Sequence, residues 1–355
     1  MTFRVLLLLC FGVISLTAPV KPLWPVLVSA SILASIIVAL VWLREKPTVR
    51  DVLFLAILAR LILFPLAPSL SDDGFRYVWD GMLQWEGINP FLHRPIDAAV
   101  EPFSGLALFS HLNSSEYFTV YPPLSQIFFV LGGWFPAESW FRSFLAIKLL
   151  VVGAEIGALY LLGQMVSARS LLLYAWNPLV VVETAGQAHT ETLMVALLIS
   201  TVWAYRNNRP KLSTVALSAA MWVKLYPVLF IPFLLRRVGW KFIWIPILVS
   251  GLLAGPYYAP GVITNCVESL KLYVGLFEFY SGPYLSLKWL AYRLGGHTGL
   301  EFVVGVSLAA SYLAFIIWLY WTDGRKTWSL SQTLFLALAG LLVASTTIHP
   351  WYFLG

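Results

Sequence analysis

The sequence predicts an all-α polytopic membrane protein, a single integral membrane domain over residues 1–355. It should form a bundle of about nine to eleven transmembrane or re-entrant helices with a long first external loop. Of the 355 residues, 59% are hydrophobic and only 11% are charged, and the mean hydropathy is +0.80. Apolar runs of about 17–24 residues recur, which is long enough to cross a bilayer. Basic residues gather in short connections, so the net charge of +6 reflects topology and predicts no nucleic-acid partner.

The N-terminal part is predicted to cross the membrane three times and then to enter a long loop. Arg44, Lys46 and Arg50 cluster between the second and third runs, which indicates a cytoplasmic connection. The segment 69–120 then carries seven acidic residues against two Arg or Lys residues, as expected for an external loop. Its length is typical of a functional loop. The three apolar runs lie at about 5–20, 23–43 and 51–68.

Two later segments are predicted to be broken helices. A full crossing over 170–187 would place Arg209 outside, against the positive-inside rule, so this segment is interpreted as re-entrant at the outer surface. The segment 212–235 contains Lys224 and Pro227 and is interpreted, for the same reason, as a hairpin of two short helices. The other helices are expected at about 122–137, 143–163, 188–205, 242–258, 283–294, 300–321 and 329–347.

The start of the external loop is the most polar stretch of the chain. A helix over residues 73–84 would place five polar side chains on one face, namely Asp73, Arg76, Tyr77, Asp80 and Gln84. The opposite face is apolar and is expected to rest on the membrane boundary, with Phe75, Val78, Trp79 and Met82. Carboxylates beside an apolar region and an arginine are suited to acid–base chemistry. The alternative is a solvated interfacial helix whose Asp–Arg pairs keep it soluble.

Short motifs follow one another in a fixed order along the chain. The first is Ser71-Asp72-Asp73-Gly74-Phe75-Arg76-Tyr77, with Asp80-Gly81 and Gly87-Ile88-Asn89-Pro90-Phe91 after it. The later ones are Tyr121-Pro122-Pro123-Leu124, Trp176-Asn177-Pro178-Leu179, His189, Lys224-Leu225-Tyr226-Pro227 and His349-Pro350-Trp351-Tyr352. Together they span about residues 70–352 and resemble the motifs of bacterial polytopic mannosyltransferases of the GT-C superfamily.

The resemblance implies a GT-C-like bundle in the cell (cytoplasmic) membrane with an extracytoplasmic active site. It also implies an inverting glycosyltransferase that moves a sugar, expected to be mannose, from a polyprenyl-phosphate donor to a lipid or glycan hydroxyl. Members of this family usually continue with further helices beyond the motif at His349. The chain is therefore expected to be either a short member or a sequence truncated after residue 355.

Asp72 and Asp73 are the candidates for the catalytic base. Transfer to a hydroxyl needs a carboxylate that removes the hydroxyl proton as the anomeric carbon is attacked, and inversion needs only one such base. The alternative is that the two aspartates cap the helix that follows them. Asp73 has the better geometry, because it shares a helix face with Arg76, Tyr77 and Asp80, whereas Asp72 lies nearer the helix cap. The sequence favours Asp73 slightly but does not identify the base.

The predicted substrate-binding residues are Arg76, Tyr77, Asp80, Tyr121, Glu183, His189, Lys224 and His349. Lys224 lies in an apolar run, where a cation is costly, and the donor phosphate is the expected partner. Snorkelling towards a helix end is the alternative. Arg76 is suited either to bidentate phosphate binding or to an ion pair within its helix. For the remaining side chains, the alternative is a structural role.

No metal cofactor is predicted, because His189-Thr190-Glu191 lacks the two-histidine spacing of a helical zinc site. A weak divalent-cation site at Asp72 and Asp73 stays open. The main alternative function is a membrane transporter of a sugar, lipid or anionic solute, since broken helices and a buried lysine are also transporter features. The position of the acidic cluster in a long loop and the lack of an evident inverted repeat argue against it. A catalytically inert lipid-binding relative is the third interpretation.

Overall fold

The computed structural model describes residues 2–135, 139–271, 278–294, 299–325 and 328–354. Within these ranges every regular element is a helix. The only β-type contacts among the described residues are isolated bridges from Phe279 and Tyr280 to Thr347. The predicted all-α fold class is therefore confirmed. Among the same residues, four helices are long and apolar enough to cross a membrane, judged by length and composition, and three shorter helices are also apolar.

The helices follow the predicted apolar runs closely. The first ten are α1 (Thr2–Thr17), α2 (Trp24–Arg44), α3 (Val49–Leu63), α4 (Asp73–Trp85), α5 (Glu101–Ser104), α6 (Pro123–Gly132), α7 (Trp140–Gly163), α8 (Ala168–Ala175), α9 (Pro178–Val181) and α10 (Glu191–Arg206). They are followed by α11 (Pro210–Ala220), α12 (Ile231–Val238), α13 (Trp244–Ala254), α14 (Val262–Lys271), α15 (Gly282–Arg293), α16 (Leu300–Asp323) and α17 (Leu330–Ala344). Residues 136 and 137 of the predicted span 122–137 lie outside the described residues.

Two apolar clusters form the core, and α7 belongs to both. One cluster joins α1, α2 and α3 to α7 and α8, with Val41, Val152 and Trp176 among its buried members. The other joins α4, α6, α7, α10, α12, α16 and α17, with Phe144 and Phe233 among its buried members. Because α7 packs on both sides, it links the N-terminal helices to the helices that carry the motifs.

Both segments that were predicted to be broken are interrupted. Helix α8 stops before Asn177, whose side-chain oxygen accepts a hydrogen bond from the Leu179 amide and starts α9. A single π-turn over Val182–Gly186 follows, and the chain then turns at Ala188, which has a φ of 60°. The second segment stops at the end of α11 and resumes as a 3₁₀ turn over Tyr226–Phe230 before α12. Because of these breaks, Glu183, His189 and Lys224 lie outside regular α-helix.

The apolar face of α4 does not rest on the membrane boundary, so that prediction was wrong. Phe75, Val78, Trp79 and Met82 are all buried inside the protein. The loop after α4 folds back over them: the Trp79 ring lies 5.7 Å from the Phe109 ring, and Phe75 stacks on His111 at 4.6 Å. The loop supplies its own apolar cover, so α4 is buried on both faces.

Helix α4 is fixed tightly against α6. A side chain at Gly81 would collide with the Phe129 carbonyl oxygen, so glycine is needed at this crossing. Four residues earlier, the Tyr77 ring stacks on the Phe129 ring with centroids 4.6 Å apart. These contacts hold the first turn of α4, which begins at Asp73, in a defined position relative to the bundle.

Candidate functional site

The two aspartates of the first motif have different surroundings. Asp72 is the N-cap residue of α4, is exposed, and makes no side-chain capping bond. Asp73 turns inwards: its side chain is 26% exposed, and its Oδ2 lies 3.8 Å from Nε2 of His189. Only Asp73 therefore faces the other motif residues.

His189 lies between two carboxylates. Its Nδ1 is 2.7 Å from Oε2 of Glu183, while its Nε2 faces Asp73. The π-turn brings this about, because the extra residue in the turn lets the His189 amide bond to the Glu183 carbonyl at 3.0 Å. Trp351 stacks on the buried imidazole at 3.9 Å. The arrangement is a line of carboxylate, imidazole and carboxylate whose outer end is Asp73.

The environment of Asp73 makes its carboxylate a stronger base. Burial raises the pKa of the Asp73 carboxyl above its ordinary value, and the nearby Glu191 adds to the rise. His189 and Lys224 act in the opposite direction. Burial likewise raises the pKa of the Tyr77 hydroxyl well above its ordinary value, and the charges of Asp73 and Glu191 add to this. Tyr77 therefore stays neutral near pH 7.

A cavity of about 780 Å³ opens beside this group. Its walls are mostly apolar and come largely from α16 and α17, while Glu191 and Lys224 contribute charged groups. Lys224 Nζ lies 2.8 Å from Oε1 of Glu191 and 5.4 Å from the centroid of the Tyr121 ring. The charges of both Lys224 and Glu191 act on the pKa of Asp73. The charged wall of the cavity is thus electrostatically coupled to the inward-facing aspartate.

Glu191 was not among the predicted site residues. The sequence signal for Glu191 is an acidic residue at the start of an apolar helix. A lysine in another apolar run, Lys224, is a cation that such a residue can pair with. Trp351 was also missed, although it lies in a motif that was noted. Its stacking on both His189 and His349 could not be read from spacing alone.

Arg76 and Asp80 form the ion pair within α4 that was one of the two interpretations of Arg76. Arg76 Nε lies 2.8 Å from Asp80 Oδ1, and both side chains are buried. Arg76 also donates to the backbone carbonyls of Ser114 and Tyr117, while Asp80 accepts from Thr119 at 2.6 Å. The pair ties the returning loop to α4. Neither residue lines the cavity, and their predicted contacts to substrate stay a prediction.

His349 lies at the far side of the Trp351 ring. Its imidazole stacks on Trp351 at 4.3 Å and on Phe279 at 4.3 Å. Burial lowers the pKa of His349 to about 4, so this histidine is neutral at pH 7. The segment after α17 therefore covers His189 with a stack of aromatic rings.

Lys148 and Gln187 hold together the two segments that carry Asp73 and His189. Buried Lys148 donates from Nζ to the carbonyls of Leu66 at 2.5 Å and Gly186 at 2.8 Å, and so joins the end of α3 to the π-turn. The side-chain oxygen of Gln187 accepts from the amides of residues 69 and 70. Lys148 thus acts as a positioning residue, since it contacts backbone and no predicted site side chain.

Replacing Lys148 by methionine is expected to lower the melting temperature of the purified protein and its activity together. Methionine fills a similar volume but donates no hydrogen bond, and each buried carbonyl left without a donor costs about 1–3 kcal/mol. Lys46→Met, at an exposed position, is the control. Thermal unfolding in detergent measures the effect. An unchanged melting temperature for Lys148→Met would show that the link does not stabilise the fold.

The described part of the chain contains no group of three or more His, Cys, Asp or Glu residues arranged to hold a metal ion. Asp72 and Asp73 diverge, one exposed and one turned inwards. The absence of a metal cofactor and the weak cation site at these two residues both stay predictions.

Comparison with known proteins identifies the family. A search of curated proteins and a search of solved structures each give no match. A family model, MptA_B family, described as alpha-(1→6)-mannopyranosyltransferase, N-terminal domain, matches residues 11–239. The matched range holds Asp73, Glu183, His189 and Lys224, and it confirms the resemblance to GT-C mannosyltransferases. Because the match covers more than half of the 355 residues, the chain belongs to the MptA_B family of alpha-(1→6)-mannopyranosyltransferases.

Proposed function

We propose that this protein is an inverting mannosyltransferase that takes mannose from a polyprenyl-phosphate donor and transfers it to a lipid or glycan hydroxyl on the extracytoplasmic face. Family membership supports glycosyltransferase activity with mannose. The observation that supports the other parts of the proposal is the position of Asp73. Its carboxylate faces inwards, has a raised pKa, and is electrostatically coupled to the charged wall of a large apolar cavity.

The cavity supports a lipid-linked donor. Its volume of about 780 Å³ is within the usual range for a ligand site, and the walls from α16 and α17 suit an isoprenoid chain. A soluble nucleotide sugar would gain little from the apolar walls that α16 and α17 contribute. Lys224 supplies a cation near the phosphate.

The chemistry follows from the position of the base. Asp73 removes the proton of the acceptor hydroxyl while that oxygen bonds to the anomeric carbon. The bond from the anomeric carbon to the phosphate oxygen breaks, and polyprenyl phosphate leaves as an anion. This single displacement inverts the anomeric centre. His189 lies 3.8 Å from the Asp73 carboxylate and lowers its pKa, which favours the ionised form that accepts the proton.

The extracytoplasmic side is supported by the charges at the two ends of α3. Arg44, Lys46 and Arg50 lie before or at the start of this helix, and Asp72 and Asp73 lie after its end. The positive-inside rule puts the basic end in the cytoplasm. The acidic motif then lies at the opposite end of α3.

The function is tested by transfer of radiolabelled mannose from polyprenyl-phosphate mannose to membrane lipids and glycans, with protein in nanodiscs. Ala309→Trp, which fills part of the cavity, is expected to lower donor affinity about tenfold or more. Ala310→Trp is the matched control, because its neighbouring position does not line the cavity. A separate assay places the protein in sealed vesicles. Label that crosses the vesicle membrane without forming a new glycosidic bond would instead support the transporter. Equal effects of both tryptophans would contradict this donor site.

A further inference from the structure

Glu191 has a position that the proposed chemistry does not yet explain. It is the first residue of α10, it lines the cavity, and it is only 2% exposed. A carboxylate this deeply buried is costly unless both of its oxygens are partnered.

The two oxygens of Glu191 are in different situations. Oε1 is paired with Lys224 Nζ at 2.8 Å. Oε2 is buried and has no hydrogen-bond partner among the residues that the structure describes. The positive end of α10 balances part of the charge, but it supplies no hydrogen bond to Oε2.

Hydroxyl groups surround the start of α10, where Glu191 lies. The Tyr77 hydroxyl lies within hydrogen-bonding reach of the hydroxyls of Thr190 and Tyr121, which lower its pKa. Thr190 precedes Glu191 directly, and the charge of Glu191 acts on the Tyr77 hydroxyl. A carboxylate oxygen only accepts hydrogen bonds, so Oε2 of Glu191 is satisfied by a ligand group that donates one, such as a sugar hydroxyl.

The negative charge of Glu191 narrows the choice of ligand group. A phosphate oxygen at Oε2 would face like charge, whereas a sugar hydroxyl can donate to it. The donor phosphate is a diester with one negative charge. The polyprenyl phosphate left after transfer is a monoester, which carries about −1.5 to −2 at pH 7. Glu191 therefore opposes the product more strongly than it opposes the donor.

We propose that Glu191 binds a hydroxyl of the donor's sugar through Oε2, and so distinguishes the sugar-bearing lipid from the bare polyprenyl phosphate that transfer leaves behind. The inference rests on the proposed function, since it takes polyprenyl-phosphate mannose as the donor. It gives Glu191 two partners, the sugar on one oxygen and Lys224 on the other.

The test is a pair of titrations on purified protein in nanodiscs, one with polyprenyl-phosphate mannose and one with polyprenyl phosphate. Wild type is expected to prefer the mannose-bearing lipid. Glu191→Gln should reduce that preference about fivefold, because a charge-assisted hydrogen bond becomes a neutral one. Glu191→Ala should reduce it further, and thermal unfolding checks that both variants fold. Glu45→Gln removes a carboxylate paired with Arg4 at 3.2 Å, outside the cavity, and should leave the preference unchanged.

The possible results distinguish a failure of the Glu191 inference from a failure of the proposed function. A loss of preference confined to the Glu191 variants supports the inference. If the Glu191 variants change both affinities by the same factor, Glu191 is only the counter-ion of Lys224 and the inference is wrong. If wild type binds neither lipid, the proposed donor itself is wrong, and the inference falls with it.

Discussion

Asp73→Asn is expected to lower the rate of mannose transfer about 100- to 10,000-fold while the protein stays folded and binds its donor. Asparagine has nearly the same shape as aspartate but cannot accept the proton of the acceptor hydroxyl. The contacts made by α4 do not depend on that charge, because its burial rests on aromatic rings and on the Arg76–Asp80 pair. The effect should therefore appear in turnover and not in expression.

Asp72→Asn provides the matched control one residue away. Asp72 is exposed and makes no side-chain capping bond, so its replacement should leave turnover close to that of wild type. Single-turnover transfer from polyprenyl-phosphate mannose measures both variants, and donor titration shows that binding persists. If Asp73→Asn transfers at nearly the wild-type rate, the base is elsewhere. If Asp72→Asn alone is inactive, the assignment of the two aspartates is reversed.

His189→Phe is expected to lower transfer about 100-fold or more, because phenylalanine keeps the ring stacked on Trp351 but loses both nitrogens. Without His189, the Asp73 carboxylate loses a neighbour that lowers its pKa. The pKa of Asp73 should then rise further. The pH below which activity falls should accordingly move upwards, a shift that a purely structural role would not produce.

A second variant keeps this prediction independent of folding. Removing His189 leaves the buried Glu183 carboxylate without its neighbour at 2.7 Å, which is destabilising. His189→Phe combined with Glu183→Gln removes that buried charge. The double variant should recover thermal stability and stay slow. Recovery of transfer along with stability would show that His189 only stabilises the turn.

Local pattern was enough to predict the helices and their breaks. The helical spacing of polar residues over 73–84 predicted a helix, and the structure has this helix at Asp73–Trp85. The breaks in 170–187 and 212–235 followed from proline, glycine and the positions of basic residues. These properties depend on neighbours in sequence and on the bilayer, so they can be read from the chain alone. The ordered motifs also indicated the mannosyltransferase family.

Contacts between distant segments could not be obtained in this way. The apolar face of α4 was expected at the membrane, but the loop that follows covers it. Lys224 was expected to pair with the donor phosphate, but Glu191 already pairs with it. Only the arrangement of α10 against the break after α11 brings Glu191 and Lys224 together.

By itself, the sequence determined an all-α membrane protein of the mannosyltransferase family, with an acidic motif at the start of a long loop. Only the tertiary structure decided that Asp73, and not Asp72, faces His189, that Trp351 covers His189, and that Glu191 has one unpartnered oxygen beside the cavity. The physical reason is that periodicity fixes which side of a helix a residue takes. What that side meets depends on packing between helices that are far apart in the chain.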